Sequence, residues 1–208
     1  MVLRNFIVFE GIDGAGTSTQ LELLKSKLPK EKTLFTAEPT DSATGKFLRS
    51  VLRGDVELAP GTTAYLFAAD RHEHLYGKGG IIEFCENGGT VITDRYLFSS
   101  LAYQSASCGR DLPRQLNSSF PLPEHLFFFD IEPSLSLNRI ADRGVTEIYE
   151  KLDFLQKTAK EYKRVVDEYS AIGESSGMTI TVIDASKSME KVAEKIWSVL
   201  KNMPIMNP

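Results

Sequence analysis

The stretch that decides the fold is residues 6–20, F-I-V-F-E-G-I-D-G-A-G-T-S-T-Q. A short apolar run rich in β-branched residues leads into three glycines within six positions, Gly11, Gly14 and Gly16. A Thr/Ser cluster then opens a segment, 21–28, in which apolar residues recur with the helical period. The sequence therefore predicts a β-strand, a glycine loop and a helix in direct succession.

The glycine loop has the spacing of a phosphate-binding P-loop, G-x-x-x-x-G-K-[ST], except that Thr17 stands where the motif has lysine. Glycines let the backbone approach an anion closely, and the following helix N-terminus adds partial positive charge. Thr17 removes the cation that reaches the terminal phosphates, whereas Ser18 keeps the hydroxyl expected to bind Mg²⁺. The loop is predicted to bind phosphate; the alternative is a glycine-rich turn without a ligand.

Length and composition favour one soluble domain spanning 1–208. The chain is 42% hydrophobic and 25% charged, and its formal net charge of -4 argues against broad binding to nucleic acid or to an anionic membrane. No apolar run approaches the length that crosses a bilayer, and no signal peptide is evident. Cys85 and Cys108 form no C-x-x-C pair, which favours a reducing compartment over a disulfide or zinc site. We expect a cytoplasmic protein.

Four further strands are predicted at 33–37, 90–93, 125–130 and 179–183. Helical patterns alternate with them, at 45–52, 64–86 with a disturbance around 77–80, 99–107, 110–118, 133–143, 151–174 and 188–202. This alternation predicts an α/β fold, a five-stranded parallel sheet with helices on both faces. Ligands bind such sheets at the carboxyl ends of the strands, so the glycine loop, Glu38-Pro39 and Asp94-Arg95 should share one edge.

Residues at this edge suit phosphoryl transfer. Ser18 and Asp94 are candidates to hold Mg²⁺, directly or through water, and Arg95 could bridge two phosphates. The alternatives are a strand-end cap for Asp94 and a surface salt bridge for Arg95. Phe67 and Arg71, one helical turn apart, could offer a ring for a base and a phosphate clamp, or could be core packing beside a surface charge.

Five motifs together resemble one family: F-E-G-I-D-G-A-G-x-S-T-Q, E-P-T, L-F-A-A-D-R, D-R-Y-x-x-S-x-x-A-Y-Q and I-D-A-S-K-S. In order and spacing they are similar to thymidylate kinases, P-loop nucleoside monophosphate kinases, over nearly the whole chain. The resemblance implies a short mobile lid at about 139–150 and ATP-dependent phosphorylation of dTMP to dTDP with Mg²⁺. It also implies a homodimer.

The resemblance further implies roles for individual residues. Asp13 would contact the acceptor near its sugar and phosphate, Phe67 would stack on thymine, and Arg95 would hold the dTMP phosphate. Arg71 would hydrogen-bond the base instead of clamping a phosphate. Tyr103 would disfavour a ribose 2′-hydroxyl. The other implied dTMP-site residues are Glu38, Pro39, Arg49, Ser99, Ser100, Gln104 and Tyr149. The implied ATP-site residues are Gly11, Gly14, Ala15, Gly16, Thr17, Ser18, Thr19, Ser186 and Lys187.

The family divides according to whether its catalytic arginine lies in the P-loop or in the lid. The loop position here is Gly14, so the resemblance implies a lid arginine, with Arg139 and Arg143 as candidates. Their spacing of four residues is equally typical of two arginines on a helix surface.

Two departures set this chain apart: Thr17 replaces lysine, and Ala37 stands where bacterial members carry arginine. Loss of a charged donor to the transition state typically costs a few kcal/mol, roughly a hundredfold in rate. The first hypothesis is an active dTMP kinase with a rearranged set of cations. The alternatives are a non-catalytic or very slow nucleotide-binding protein on the same fold, and a kinase for a different nucleoside monophosphate.

Overall fold

A computed structural model describes residues 1–141 and 148–203 of the chain. Its strands are β1 (Val2–Gly11), β2 (Thr33–Ala37), β3 (Thr90–Asp94), β4 (Leu122–Asp130) and β5 (Thr179–Asp184). Its helices are α1 (Thr17–Lys25), α2 (Ala43–Leu52), α3 (Pro60–Tyr76), α4 (Ile81–Glu86), α5 (Leu97–Cys108), α6 (Asp111–Asn117), α7 (Pro133–Ile140), α8 (Leu152–Ser176) and α9 (Met189–Leu200).

The five strands form one parallel sheet in the order β2-β3-β1-β4-β5. Central strand β1 carries four consecutive apolar residues, Phe6, Ile7, Val8 and Phe9, each at most 1% exposed. Because neighbouring residues of a strand point to opposite faces, their burial means that helices cover both faces. The predicted fold class is confirmed.

The strand register brings the predicted site segments to one edge of the sheet. Phe9 of β1 lies opposite Asp94 of β3, and Ala37 of β2 also lies opposite Asp94. The glycine loop, Glu38 and Arg95 follow these positions directly. The backbone N–H of Glu38 donates to the carbonyl of Asp94 at 2.9 Å, which ties two of the segments together.

Most element boundaries agree with the predictions to within two residues, and five need correction. Helix α3 begins at Pro60 and strand β4 at Leu122, four and three residues earlier than predicted. Helix α1 begins at Thr17, not at residue 21, because the helix starts directly after the glycine loop. The predicted helix 64–86 is two helices, α3 and α4, which are separated by residues 77–80, the site of the predicted disturbance. Helix α7 ends at Ile140, earlier than predicted. Half of the lid sub-region predicted at about 139–150, residues 142–147, lies outside the described residues, and Arg143 is among them.

A search for membrane-spanning helices among residues 1–141 and 148–203 finds none with the required length and hydropathy.

Candidate functional site

A cleft of about 330 Å³ opens at the carboxyl edge of the sheet. It brings together most of the residues that the sequence singled out. The predicted residues that line it are Asp13, Gly14, Gly16, Thr17, Ser18, Thr19, Glu38, Pro39, Arg49, Phe67, Asp94, Arg95, Ser99, Tyr103, Gln104 and Tyr149. The described predicted residues that do not line it are Gly11, Ala15, Arg71, Ser100, Arg139, Ser186 and Lys187.

The glycine loop leads straight into the N-terminus of α1. Gly14 and Gly16 have positive φ angles of 81° and 96°, which glycine adopts without strain. Gly16 is the N-cap of α1 and supplies no side-chain hydrogen bond, so no side chain among residues 1–141 and 148–203 caps the first N–H groups of the helix. A concave backbone that presents N–H groups at a helix N-terminus is suited to an anion.

Gly14 also lies directly against α7. A Cβ atom at this position would come within 2.6 Å of the Ser136 carbonyl oxygen and 3.0 Å of the Ile140 side chain. The Ser136 hydroxyl donates to the carbonyl of Asp13, so α7 holds the loop from behind. A side chain at position 14 would therefore require α7 to shift. The lid arginine implied by the resemblance stays a prediction.

Gly14→Ala should lower the free energy of unfolding by about 3 kcal/mol, since left-handed strain and the collision with α7 each cost about 1–2 kcal/mol. For a chain of this length that corresponds to a fall in Tm of roughly 6–12 °C, measured by thermal denaturation. Gly16→Ala is the matched control, because Gly16 has a similar φ but nothing within 4 Å of its Cβ position. Equal losses for both variants would contradict the proposed collision.

Ser18 and Asp94 form a pair that fits a divalent cation. The Ser18 hydroxyl donates to Asp94 Oδ2 at 2.5 Å. The other carboxylate oxygen, Oδ1, is buried and has no hydrogen-bond partner in the described structure. An unpartnered buried carboxylate oxygen is costly, and a cation beside it would remove that cost.

The residues around Ser18 and Asp94 fit Mg²⁺ better than they fit a cation that takes all of its ligands from protein side chains. Among the described residues no group of three or more His, Cys, Asp or Glu side chains is arranged around a metal. Mg²⁺ commonly takes one or two carboxylates and completes its shell with water and substrate phosphates. A single carboxylate beside a phosphate-binding loop is consistent with that pattern.

Arg95 projects into the cleft from a strained backbone. Its φ of 70° is left-handed, which is uncommon for a residue other than glycine. Its guanidinium pairs with Asp13 Oδ1 at 2.5 Å and donates to the Gly11 carbonyl at 3.1 Å. Burial opposes its charge, but Tyr103 and Asp13 more than offset this and place the pKa of Arg95 above its ordinary value.

These contacts explain why a carboxylate is tolerated inside a phosphate-binding loop. Tyr103 donates its hydroxyl to Asp13 Oδ2 at 2.9 Å and accepts the backbone N–H of Asp13 at 2.9 Å. Burial raises the pKa of Tyr103 well above its ordinary value, so the hydroxyl stays protonated. Asp13 is therefore compensated by one cation and one hydroxyl, and it holds Arg95 at the centre of the cleft.

The acceptor-side residues of α3 are divided between the cleft and the interior. Phe67 lines the cleft, whereas Arg71 is 1% exposed and pairs with Glu38 at 2.6 Å. Arg71 also donates to Asn117 at 2.5 Å and to Ser100 at 3.2 Å. The alternative of a surface charge for Arg71 is therefore wrong. Helical spacing alone does not show whether a helix face points toward solvent or toward the interior.

Arg49 and Tyr149 also line the cleft. Arg49 donates to the Pro39 carbonyl and lies 3.7 Å from Asp41. Tyr149 stacks on Phe154 with ring centroids 4.8 Å apart, and its ring lies 5.5 Å from that of Tyr103. These contacts place both predicted side chains at the cleft wall.

Other predicted residues lie away from the cleft. Arg139 is exposed on α7, and Arg143 lies outside the described residues. Ser186 and Lys187 follow β5 and contact Asp184 at 2.5 Å and 3.2 Å. The roles implied for these four residues stay predictions.

The structure also reveals residues that sequence reasoning gave no role. Leu52 lines the cleft beside Ala37, and Asn117 contacts Arg71. Glu10 is fully buried and Tyr162 donates to it. Glu10 left a signal in the sequence, an acid at the end of the apolar run F-I-V-F. Asn117 and Tyr162 left none, because they reach the site from helices distant along the chain.

Comparison with known proteins places this architecture in a family. The family model for thymidylate kinase matches residues 9–196. Two relatives carry this family in their names: one from Treponema pallidum is 42% identical over 202 residues, covering 96% of each chain. The other, from Methanocaldococcus jannaschii, is 38% identical over 206 residues, covering 98% of this chain and all of its own.

A solved structure agrees at the level of the fold. The thymidylate kinase from Candida albicans superposes with a TM-score of 0.78 over 94% of this chain and 90% of its own, at 23% identity. Taken with the family match over most of the sequence, these findings show that the chain belongs to the thymidylate kinase family.

Proposed function

We propose that this protein transfers a phosphoryl group from ATP to dTMP and gives dTDP. The observation that carries the proposal is one shared cleft, which is lined by the phosphate-binding loop, by Arg95 and Tyr103 bonded to Asp13 of that loop, and by Phe67. A transfer between two anionic substrates requires both to be held in one water-poor cavity with their phosphates in line. Membership of the thymidylate kinase family identifies the acceptor.

On the donor side, backbone N–H groups of the glycine loop and the N-terminus of α1 bind the ATP phosphates. Ser18 and Asp94 would hold Mg²⁺ there, and the ion when bound neutralises charge on the phosphate oxygens. Ser186 and Lys187, at the end of β5, are the residues we assign to the adenine.

On the acceptor side, Arg95 binds the dTMP phosphate. Its guanidinium is already oriented by Asp13 and Gly11, so little side-chain entropy is lost when the phosphate arrives. Phe67 stacks on thymine and Tyr103 lies beside the deoxyribose. Arg71 and Ser100 do not line the cleft, so their assignment to the edge of the base rests on the family resemblance alone.

The transfer itself needs positioning and charge rather than a general base. The attacking oxygen of the dTMP phosphate carries negative charge at neutral pH, so no side chain has to remove a proton from it. What the site must supply is positive charge around the transferred group. Arg95 supplies part of it, and Arg139 or Arg143 is proposed to supply the charge that lysine provides in an intact motif.

A coupled assay of ADP release tests the proposal directly. We expect turnover that depends on dTMP and exceeds turnover with dUMP or dGMP. No dTMP-dependent release at high enzyme concentration, together with ATP or dTMP binding by calorimetry, would instead identify a nucleotide-binding protein without kinase activity. Faster turnover with another nucleoside monophosphate would reassign the acceptor.

Asp94→Asn should lower kcat by about a hundredfold or more and raise the Mg²⁺ concentration needed for half-maximal rate, because the amide no longer offers a charged ligand. Initial rates over a Mg²⁺ titration measure both effects. Asp130→Asn, at the end of β4 and paired with Lys163 at 3.3 Å, is the matched control and should leave the titration unchanged. A normal Mg²⁺ curve for Asp94→Asn would rule out the metal assignment.

We also propose a homodimer that uses α2 and α3. Exposed aromatic side chains lie on these helices: Phe47 is 42% exposed, Tyr65 58% and Tyr76 49%. Burial of such rings between two copies would remove apolar surface from water. Sedimentation equilibrium should give twice the chain mass, and Tyr65→Lys should shift it toward the monomer; a monomeric unaltered protein would reject the proposal.

The chain 1–208 is proposed to act as one domain in the cytoplasm. A single hydrophobic core surrounds the sheet, which supports one cooperative unit, and the reaction requires the ATP held inside cells. One calorimetric unfolding transition and recovery in the cytoplasmic fraction are the expected results. Two separate transitions, or recovery in another fraction, would count against these assignments.

A further inference from the structure

Glu10 is a buried carboxylate to which the proposed function assigns no task. It lies near the end of β1, is 0% exposed and is not part of the cleft wall. A carboxylate removed from water destabilises a protein unless hydrogen bonds or charges compensate it. The contacts of Glu10 therefore indicate which function it serves.

Four donors converge on this carboxylate. Oε1 accepts the backbone N–H groups of Tyr96 at 2.7 Å and Ser99 at 3.1 Å, and Oε2 accepts the hydroxyls of Ser99 at 2.6 Å and Tyr162 at 2.8 Å. Tyr96 is the N-cap of α5 and caps the helix with no side-chain hydrogen bond of its own. Glu10 thus caps α5 from a neighbouring strand, where negative charge is favourable.

The contacts of Glu10 also hold Arg95, at its backbone and at its guanidinium. Its backbone is left-handed, with its own N–H bonded to the Phe9 carbonyl at 2.8 Å and the next N–H, of Tyr96, bonded to Glu10. Its guanidinium donates at 3.2 Å to the Ser99 hydroxyl, which in turn donates to Glu10. Phe9 and Glu10, two consecutive residues of β1, therefore fix the left-handed backbone at Arg95. Glu10 also orients the Ser99 hydroxyl that lies beside the Arg95 guanidinium.

We propose that Glu10 is a positioning residue for the phosphate of the acceptor: it holds the strained Arg95 backbone and, through Ser99, the Arg95 guanidinium in the cleft. The inference rests on the proposed function, since it gives Arg95 the task of binding the dTMP phosphate. Glu10 touches neither substrate and acts only through Arg95.

The neutral form of Glu10 is accessible in the folded protein. Burial raises the pKa of its carboxyl to about 7, although the Ser99 hydrogen bond and the charge of Arg95 oppose the rise. A protein that tolerates a neutral group here near neutral pH should also fold with glutamine, which matches glutamate in size. Glu10→Gln is therefore a usable test variant.

The test compares ligand affinities by calorimetry in two backgrounds. In the unaltered protein, Glu10→Gln should weaken dTMP binding about tenfold and change ATP binding less than about twofold. In an Arg95→Ala background, the same substitution should change dTMP binding less than about twofold, because the residue through which it acts is gone. Equal losses in the two backgrounds, or parallel losses of dTMP and ATP binding, would overturn the inference.

Two further variants separate positioning from general stability. Ser99→Ala leaves both backbone N–H contacts to Glu10 intact and removes the hydroxyl between Glu10 and Arg95. Because Ser99 also lines the cleft, it is measured in both backgrounds: it should weaken dTMP binding severalfold when Arg95 is present and less than about twofold in the Arg95→Ala background. Tyr162→Phe removes another donor to the same carboxylate oxygen, one whose hydroxyl also lies 2.8 Å from the Ser99 hydroxyl. Because it leaves the Ser99 bridge to Arg95 in place, it should weaken dTMP binding less than Ser99→Ala does, even if Tm falls. A larger loss of dTMP affinity for Tyr162→Phe than for Ser99→Ala would contradict the inference. This comparison also tests the inference if Glu10→Gln does not fold.

The outcomes also distinguish this inference from the function on which it depends. An unaltered protein that neither binds nor phosphorylates dTMP would refute the proposed function and the role of Glu10 with it. Normal dTMP turnover combined with additive effects of Glu10→Gln and Arg95→Ala would refute the role of Glu10 alone.

Discussion

Arg95→Ala should lower kcat/KM for dTMP by roughly a thousandfold, the upper end of the effect of removing one charged donor from a transition state. The substitution removes the only cation that contacts Asp13 in the described structure. It leaves that carboxylate facing an incoming phosphate, so repulsion adds to the lost attraction. Steady-state rates at varied dTMP concentration measure the loss.

Two controls interpret the result for Arg95. Arg95→Lys keeps the charge but loses the planar fork, and should recover part of the activity. Arg53→Ala removes an exposed arginine paired with Asp55 at 2.8 Å, and should leave the rate nearly unchanged. A loss below about tenfold for Arg95→Ala, with ATP affinity and Tm preserved, would show that the acceptor phosphate is held elsewhere.

Thr17→Lys should raise kcat by about tenfold to a hundredfold. Thr17 is the first residue of α1 and lines the cleft, so a lysine there would extend toward the terminal phosphates of ATP. Among the described residues of the cleft wall, the basic side chains are Arg49, which donates to the Pro39 carbonyl, and Arg95, which pairs with Asp13. The described cleft wall therefore has no cation at the position of the motif lysine.

Thr17→Met is the matched control, because methionine adds length without charge and should not raise the rate. Unchanged or lower turnover for Thr17→Lys would mean that the cation is already supplied. In that event Arg139→Ala or Arg143→Ala should lower turnover in the unaltered chain, and the affected variant would name the arginine that acts.

The fold was largely predictable because its strands carry strong local signals. The run 6–9 has to be buried on both faces, and each strand is followed by a turn or a helix start that ends it. The sheet order was not predicted, since the placement of β3 between β1 and β2 depends on contacts distant in sequence. The break between α3 and α4 was visible in the glycines of 77–80.

The site was predictable where chemistry follows the end of a strand. The glycine loop, Glu38 and Asp94-Arg95 were expected at one edge because the carboxyl ends of parallel strands meet there. Residues delivered by helices, such as Arg49, Phe67 and Tyr103, were assigned to the dTMP site only through the family resemblance. Tyr162 carried no such signal, since it reaches Glu10 across 152 positions of sequence. The burial of Arg71 was missed for a related reason: Asn117, which anchors it, belongs to a different helix.

The contact between Gly14 and α7 has a consequence for how such enzymes change over time. A larger residue at position 14 requires α7 to move, because the nearest obstacle is the backbone carbonyl of Ser136 and the side chains of Ile140 and Ser136 lie directly behind it. Evolution could exchange a lid arginine for a loop arginine only through a coordinated shift of α7. Across homologues, residue 14 should therefore covary with positions 136 and 140. Homologues that share the packing of α7 against the glycine loop should also share the location of the catalytic arginine.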